Sequence, residues 1–278
     1  MQQATLESTY TTYKEPLGQT LFKAAQQKIL VPILRQVVRN PEVHIFQLKL
    51  YRYADSFGQI TLEKFIQRLG DPELIRKVER HLADEAKHTK LLDQLLLEMG
   101  ATPAFTPAEA GLKWIQTYIA QLDLLHSKDL GIDDGRFNSD KTLETAEIIP
   151  YLVFVHGQEE QGTAWFTAHL QALEQDKESR VRKVLEEIIV DERRHVGYLA
   201  EELHRLGQEG YQPLIVAARR RCRKIRASHR LPIGEALSTV PRALEEMLHF
   251  RPHGVGATIG WSLFKALSAV VRKLRGGC

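Results

Sequence analysis

Apolar residues recur along this chain at intervals of three and four, which is the spacing of one face of an α-helix. Strict alternation of apolar and polar residues, which marks half-buried strands, is nearly absent. The pattern predicts an all-α protein with long helices at about 16–39, 42–69, 72–99, 151–174 and 178–206. Proline, glycine and capping residues set these limits, as in the sequence Gly70-Asp71-Pro72 between the second and third helices.

A long connection, residues 101–142, separates two predicted helical hairpins. It contains Thr106-Pro107-Ala108-Glu109, which has the form of a capped helix start, so we expect a helix there to about Ser127. Two hairpins joined by one long crossover are the outline of a four-helix bundle. The expected organisation is an N-terminal helical segment, the bundle and a basic helical C-terminal extension, covering residues 1–41, 42–207 and 208–278.

The polar pentad Asp-Glu-x-x-His occurs twice, 107 residues apart. In a helix, a glutamate and a histidine three residues apart lie on one face, and in both copies that face is the apolar one. Burying an unpaired carboxylate costs several kcal/mol. A divalent metal would offset this cost, because glutamate oxygen and histidine nitrogen are common metal ligands. The repeat therefore predicts a metal centre with ligands Glu85, His88, Glu192 and His195.

A two-metal bundle needs one further carboxylate from each of the remaining helices. In an antiparallel hairpin, residues equally distant from the turn lie level with each other. For Glu85, with the turn at Gly70, the level position is Asp55, which lies on an apolar stripe. An ion pair between Asp55 and Arg52, one turn earlier, is the open alternative.

The same argument for Glu192, with the turn near Asp176, leads to the sequence around residue 160. Two carboxylates are available there, and the apolar stripe favours Glu159 over Glu160. The two partner spacings are 30 and 33 residues, although neither search imposed this similarity. The similarity indicates two equivalent hairpins that face one site.

Four neighbours of these ligands are further candidates. Asp84 and Asp191 precede the pentad glutamates and could accept a hydrogen bond from the free N–H of a ligand histidine, or they could be solvated. His81 and His156 lie one turn before Glu85 and Glu159, so each could be an extra ligand or proton donor. The ordinary interpretation, a hydrogen-bonded core histidine, is favoured for both.

The paired carboxylate and Glu-x-x-His motifs resemble those of the ferritin-like di-iron carboxylate superfamily over residues 42–206. The resemblance implies a ferritin-like bundle that binds two iron ions, with manganese as the alternative metal. It implies Glu85 and Glu192 as bridging ligands, and catalytic roles for both of these and for Glu159. The implied ligand set is Asp55, Glu85, His88, Glu159, Glu192 and His195.

The chain departs from known branches of that superfamily. Asp55 stands where a glutamate is usual, and Leu92 stands where ribonucleotide reductase subunits have their radical tyrosine. The sequence Gln-Glu-Glu-Gln around Glu159 differs from the Cys-Glu-Arg-Phe of the tRNA hydroxylases. These differences disfavour both of those branches.

The resemblance implies an oxidase or oxygenase that uses O₂ to oxidise an organic substrate, with an external electron donor. A ferroxidase or a manganese-catalase-like protein is the first alternative. A non-catalytic helical module that binds a membrane or a partner is the second. A homo-oligomer is compatible with each.

Composition predicts the cellular compartment of the protein. Apolar residues make up 43% and charged residues 26% of the 278, as in ordinary globular proteins. Two cysteines do not form a disulfide framework, and neither a signal peptide nor a transmembrane stretch is evident. The cytoplasm is therefore the expected compartment.

Charge is unevenly distributed. Residues 211–278 contain 13 Lys and Arg against three Asp and Glu, a net charge of +10, which leaves −7 for the first 210 residues. The amphipathic stretch from Trp261 to Cys278 is expected to dock on the acidic body, with contact to an anionic membrane or an acidic partner as the alternative. Aromatic residues do not interleave the basic run, so nucleic-acid binding is disfavoured.

Overall fold

The structure is a computed structural model and describes residues 30–106, 142–173 and 179–228. Residues 30–39 are helical, and a π-helical turn, Gly207–Tyr211, joins the last two of the helices that follow. These helices are α1 (Pro41–Ile66), α2 (Pro72–Glu98), α3 (Thr145–Ala172), α4 (Arg180–Leu206) and α5 (Gln212–Ser228). The described ranges contain no strand, which confirms the all-α class.

Several expectations lie outside the described residues. They are the first part of the N-terminal helix, the crossover helix from Thr106 to Ser127, and the stretch from Trp261 to Cys278. None of the helices in the described ranges is long and apolar enough to cross a membrane.

Capping residues act where the sequence places them. Asp71 accepts hydrogen bonds from the backbone N–H of Glu73 (2.9 Å), and Pro72 takes the first helical position of α2. Gly100 follows α2 with a φ of +75°, a conformation that glycine adopts without strain. Ser179 caps α4 by accepting from the N–H of Arg182 (3.1 Å).

Two predicted limits were wrong. Helix α3 begins at Thr145 and contains Pro150, because Glu147 accepts the backbone N–H of Glu144 (2.9 Å) and so starts the helix before the proline. The chain also continues helically past Gly207, and it turns instead at Gly210, where φ is +99°.

The turn at Gly210 brings α5 back onto α3. Its apolar face contributes Ile215, Ala218 and Cys222 to a core cluster shared with α3 and α4. The beginning of the basic extension therefore belongs to the same core as the bundle.

Antiparallel packing relates the four central helices. Arg52 of α1 donates from Nε to Asp93 of α2 (2.8 Å), and Gln59, farther along α1, donates to the carbonyl of Glu85, which lies earlier in α2. Helix α3 packs on α4, and α2 packs on α4. Helices α1 and α3 meet through aromatic pairs, Tyr51 with Phe166 and Phe65 with Tyr151.

Two apolar clusters fill the interior at different heights of these helices. One contains the end of α1, the start of α2 and the first half of α3, and the other contains the start of α1, the end of α2 and the start of α4. The repeated pentads and their predicted partners lie between the two clusters. The polar residues therefore form a layer with apolar packing above and below.

Candidate metal centre

All six predicted ligands lie in this polar layer. Five of them are at most 6% exposed, and the side chain of Glu159 is 13% exposed. Nδ1 of His195 lies 3.4 Å from Glu159 and 3.5 Å from Glu85, and Nδ1 of His88 lies 3.6 Å from Glu192. Asp55, Glu85, Glu159 and Glu192, here called the four-carboxylate cluster, come from four different helices.

Among the described residues, two groups, one of which also includes His81, could each hold a metal ion. One is His81, Glu85, Glu159 and His195, and the other is Asp55, Glu85 and His88. Within each group the candidate ligand atoms all lie within 4.8 Å of one another. Glu85 belongs to both groups, so it could contact a cation held by either of them. Glu192 is outside both groups as defined, but its Oε1 lies beside His88.

The two pentads are joined crosswise. Nε2 of His88 in the first pentad donates to Asp191 of the second (3.2 Å), and Nε2 of His195 in the second donates to Asp84 of the first (3.1 Å). Because an ionised carboxylate only accepts, each histidine carries a proton on Nε2. These are the contacts that the sequence suggested for the two aspartates, although it did not show that they cross between helices.

The inward nitrogens of these histidines have no hydrogen-bond partner. Nδ1 of His88, Nδ1 of His195 and Oδ2 of Asp55 are all buried and unpaired. Buried polar atoms are normally hydrogen-bonded, so three orphans that border one site need an explanation. A neutral histidine with Nε2 protonated presents a lone pair at Nδ1, which is the form that binds a cation. The donor set thus fits divalent metal.

Electrostatics strengthens this interpretation. Burial and neighbouring carboxylates raise the pKa of Asp55, of Glu85 and of Glu192 well above the usual range. Burial also acts to raise the pKa of Glu159, but His81 and His195 hold it well below its usual value. Four carboxylates this close repel one another when ionised, and a cation among them relieves that repulsion.

The pKa values of the two pentad histidines, His88 and His195, are shifted in opposite directions. Burial lowers the pKa of His88 to about 4, with His195 as a second cause. Burial acts to lower the pKa of His195 as well, but the nearby carboxylates of Asp84 and Glu159 raise it. His195 therefore has the more negative surroundings of the two, and such surroundings also favour a bound cation.

The guanidinium group of Arg194, on α4, is hydrogen-bonded to both aspartates. The Nη2 atom of Arg194 donates to Asp84 (2.5 Å) and to Asp191 (2.6 Å), and Lys87 also contacts Asp191. Burial acts to raise the pKa of both aspartates, but hydrogen bonds from His195 and Arg194 lower that of Asp84, and hydrogen bonds from Lys87, Arg194 and His88 lower that of Asp191. Sequence reasoning missed Arg194, although its position three residues after Asp191 places both on one helix face.

His81 lies closer to the site than the ordinary interpretation expected. Its Nε2 is 3.3 Å from Glu85 and 3.5 Å from Glu159, and its ring stacks on that of His195 at 3.7 Å. Its other nitrogen, Nδ1, is hydrogen-bonded to Tyr198 (2.8 Å). The geometry makes His81 a candidate ligand on the Glu159 side of the site.

Contacts of His156 and Arg52 bear on the two alternatives that the sequence leaves open. His156 lies 3.9 Å from Glu160, and neither belongs to a metal-capable group, so the structure brings Glu159 to the site. Arg52 forms its ion pair with Asp93, and Oδ2 of Asp55 has no hydrogen-bond partner.

Comparison with known proteins provides no family assignment for this arrangement. The chain matches no family model, no curated protein and no solved structure.

Proposed function

We propose that this chain is a di-iron carboxylate oxidase or oxygenase, built on a ferritin-like arrangement of α1 to α4, which uses O₂ to oxidise an organic substrate. The observation that carries the proposal is the pair of metal-capable groups that share Glu85. Two cations held side by side by these groups would supply Lewis-acid and redox chemistry at one place. Manganese remains the alternative metal.

Bound iron would supply O₂ binding and electron transfer, which protein side chains do not provide by themselves. The protein's own contribution is geometric and electrostatic. Asp84 and Asp191 fix the pentad histidines with Nδ1 facing inward. The apolar clusters above and below exclude water, and the four-carboxylate cluster balances the charge of the cations.

Ligand contacts and electron supply complete the proposal. Nδ1 of His195 lies 3.4 Å from Glu159, so both residues could contact the same cation. Glu85, Glu159 and Glu192 are the residues to which we assign catalytic roles. Because the reduction of O₂ consumes electrons, an external electron donor is part of the proposal.

The test is metal analysis of the purified protein followed by O₂ uptake on the reduced form. Two metals per chain with rapid O₂ uptake and no mineral core support the oxidase or oxygenase. Disproportionation of peroxide without a reductant would support a catalase-like protein instead. Glu192→Ala should lose at least one of the two metals, and unchanged metal content would contradict the assignment.

A further inference from the structure

A histidine and a tyrosine form a polar pair beside one half of the metal centre. Nδ1 of His81, on α2, is hydrogen-bonded to the hydroxyl of Tyr198, on α4, at 2.8 Å. The two rings meet edge to face, with their centroids 5.7 Å apart. Because the hydroxyl occupies one ring nitrogen of His81, the other nitrogen, Nε2, is left facing Glu85 and Glu159.

The equivalent positions in the other half of the site are apolar. His81 lies four residues before the glutamate of the first pentad, and the same position before the second pentad glutamate is Ile188, which is fully buried. Tyr198 lies three residues after the histidine of the second pentad, and the same position after the first pentad histidine is Leu91. The two halves of the site are therefore unequal, although the pentads themselves are alike.

The pair adds a second imidazole to one of the two metal-capable groups. Oε1 of Glu85 lies 3.3 Å from Nε2 of His81 and 3.5 Å from Nδ1 of His195. The carboxylate of Glu159 also faces both rings, with Oε1 3.5 Å from His81 and Oε2 3.4 Å from His195. Two nitrogens and two carboxylates thus converge in this group, whereas the other group contains a single imidazole.

The partner of His81 differs in kind from the partners of the pentad histidines. Asp84 and Asp191 only accept when ionised, so they hold the proton of each pentad histidine on Nε2. The hydroxyl of Tyr198 can donate or accept, so it supports either tautomer of His81. In one tautomer Nε2–H donates to the neighbouring carboxylates. In the other the hydroxyl accepts from Nδ1–H, and Nε2 presents a lone pair, which is the form that binds a cation.

We propose that Tyr198 is a positioning residue, which holds His81 as the second imidazole ligand of one cation and so makes that metal position the tighter of the two. The inference rests on the proposed function, because it requires two metals at the site. Imidazole suits iron and nickel, between which cobalt lies in the order of affinities, whereas carboxylate suits manganese and magnesium. The group with two imidazoles is therefore expected to bind cobalt(II) more tightly than the group with one.

Cobalt(II) binding to the full-length chain tests this role. Competition with a chelator of known affinity and the visible absorption of the bound cobalt are the readouts. Tyr198→Phe removes the hydroxyl and keeps the ring. It should bind the tighter cobalt ion about 10- to 100-fold more weakly, which is the usual cost of losing the partner that orients a ligand histidine. The absorption of that ion should change as well, because it loses a nitrogen ligand, and the weaker ion should keep its affinity.

Tyr51→Phe is the matched control. The hydroxyl of Tyr51 is hydrogen-bonded to Nδ1 of His169 (3.2 Å), and His169 belongs to neither metal-capable group. This variant loses the same kind of buried contact between a tyrosine and a histidine, so it should keep both cobalt affinities. If it weakened the tighter ion as much as Tyr198→Phe does, the effect would be one of packing, and the positioning role would be refuted.

A double-mutant cycle shows whether Tyr198 acts through His81. His81→Gln should weaken the same cobalt ion, and adding Tyr198→Phe should weaken it no further, because the hydroxyl then has no imidazole to orient. An equal loss on adding Tyr198→Phe in both backgrounds would refute the proposal. Should Tyr198→Phe fail to fold, His81→Gln decides the matter, since wild-type affinities in that variant would exclude His81 as a ligand.

The outcomes separate this inference from the proposed function. If the wild-type protein binds no pair of cobalt ions, the proposed function fails. If it binds two and Tyr198→Phe binds both within about twofold of the wild-type affinities, only the role of Tyr198 is refuted.

Discussion

Two groups of buried histidines lie at different heights of the same helices. The pentad histidines, His88 and His195, face the four-carboxylate cluster through Nδ1 atoms that have no hydrogen-bond partner. The second group, His44 and His169, here called the histidine pair, is hydrogen-bonded to itself, with Nε2 of one 3.0 Å from Nε2 of the other. Nδ1 of His169 is also hydrogen-bonded to the hydroxyl of Tyr51 (3.2 Å).

The comparison shows that burial alone does not make a histidine a candidate ligand. Burial lowers the pKa of His44 to about 4 and that of His88 to about 4, so these two histidines are alike in that respect. They differ in what the ring nitrogens face. Hydrogen bonds occupy both ring nitrogens of His169 and Nε2 of His44, whereas Nδ1 of each pentad histidine faces carboxylates without a hydrogen-bond partner, and only the latter arrangement calls for a cation.

The largest expected effect comes from removing the shared carboxylate. Glu85→Gln should lose binding at both metal positions, because Glu85 belongs to both groups. Metal content per chain after dialysis measures this loss. Glu160→Gln, a change to the carboxylate next to Glu159 and outside both groups, is the control and should retain two metals. If Glu85→Gln retained two metals, the pentad histidines would no longer differ from the histidine pair as candidate metal ligands.

The second largest expected effect comes from weakening the hydrogen bonds that join the two pentads crosswise. Asp191→Asn should weaken metal binding about 10- to 100-fold, because it changes the acceptor that orients His88. Competition with a chelator of known affinity measures the change. Glu187→Gln is a matched control, since Glu187 also contacts Lys87 (3.4 Å) but is half-exposed and no histidine contact is seen for it. Equal affinities of the two variants would contradict the orienting role.

The histidine pair should instead govern stability in acid. A histidine whose folded pKa is lowered to about 4 contributes stability that is present above its ordinary pKa of 6.5 and is lost as pH falls towards 4. His44→Gln should remove part of this dependence, about 2 kcal/mol between about pH 7.5 and pH 5. Urea unfolding at the two pH values measures it, with His204→Gln, at an exposed histidine, as the control. An unchanged pH dependence in His44→Gln would contradict the assignment.

The smallest expected effect comes from replacing Glu192, and its dependence on pH is opposite to that of the histidine pair. A carboxyl whose folded pKa is raised contributes stability below its ordinary pKa and loses it as pH rises through the folded value. Metal-free Glu192→Gln should therefore be about 1 kcal/mol more stable than metal-free wild type at about pH 8. Added metal should stabilise the wild-type protein much more than it stabilises the variant. Thermal unfolding with and without metal measures both effects.

Glu202→Gln provides the contrast for that measurement. Glu202 is as buried as Glu192, but it is paired with Arg205 and lies 3.6 Å from Lys77. Its replacement should destabilise the protein, because it weakens these ion pairs. If both glutamine variants change stability in the same direction, crowding among the four carboxylates is not what distinguishes Glu192.

The spacing of residues within each helix determined much of this protein. The three-residue interval of Glu85 and His88 fixes them on one face of α2 whatever else the chain does, and capping by Asp71 is a local interaction. Hairpin geometry then placed Asp55 and Glu159 level with the pentads, because two helices joined by a short turn must run antiparallel. These inferences use local chemistry and chain connectivity, and both are written in the sequence.

The tertiary structure alone decided which helices face each other across the bundle. Asp191 meets His88 rather than His195 because α2 packs antiparallel to α4, and the spacing within either helix contains no information about that contact. The same holds for His81, which lies beside Glu159 of a different hairpin. Contacts between helices that are far apart in the chain depend on the packing of whole faces, so they appear only once the helices are assembled.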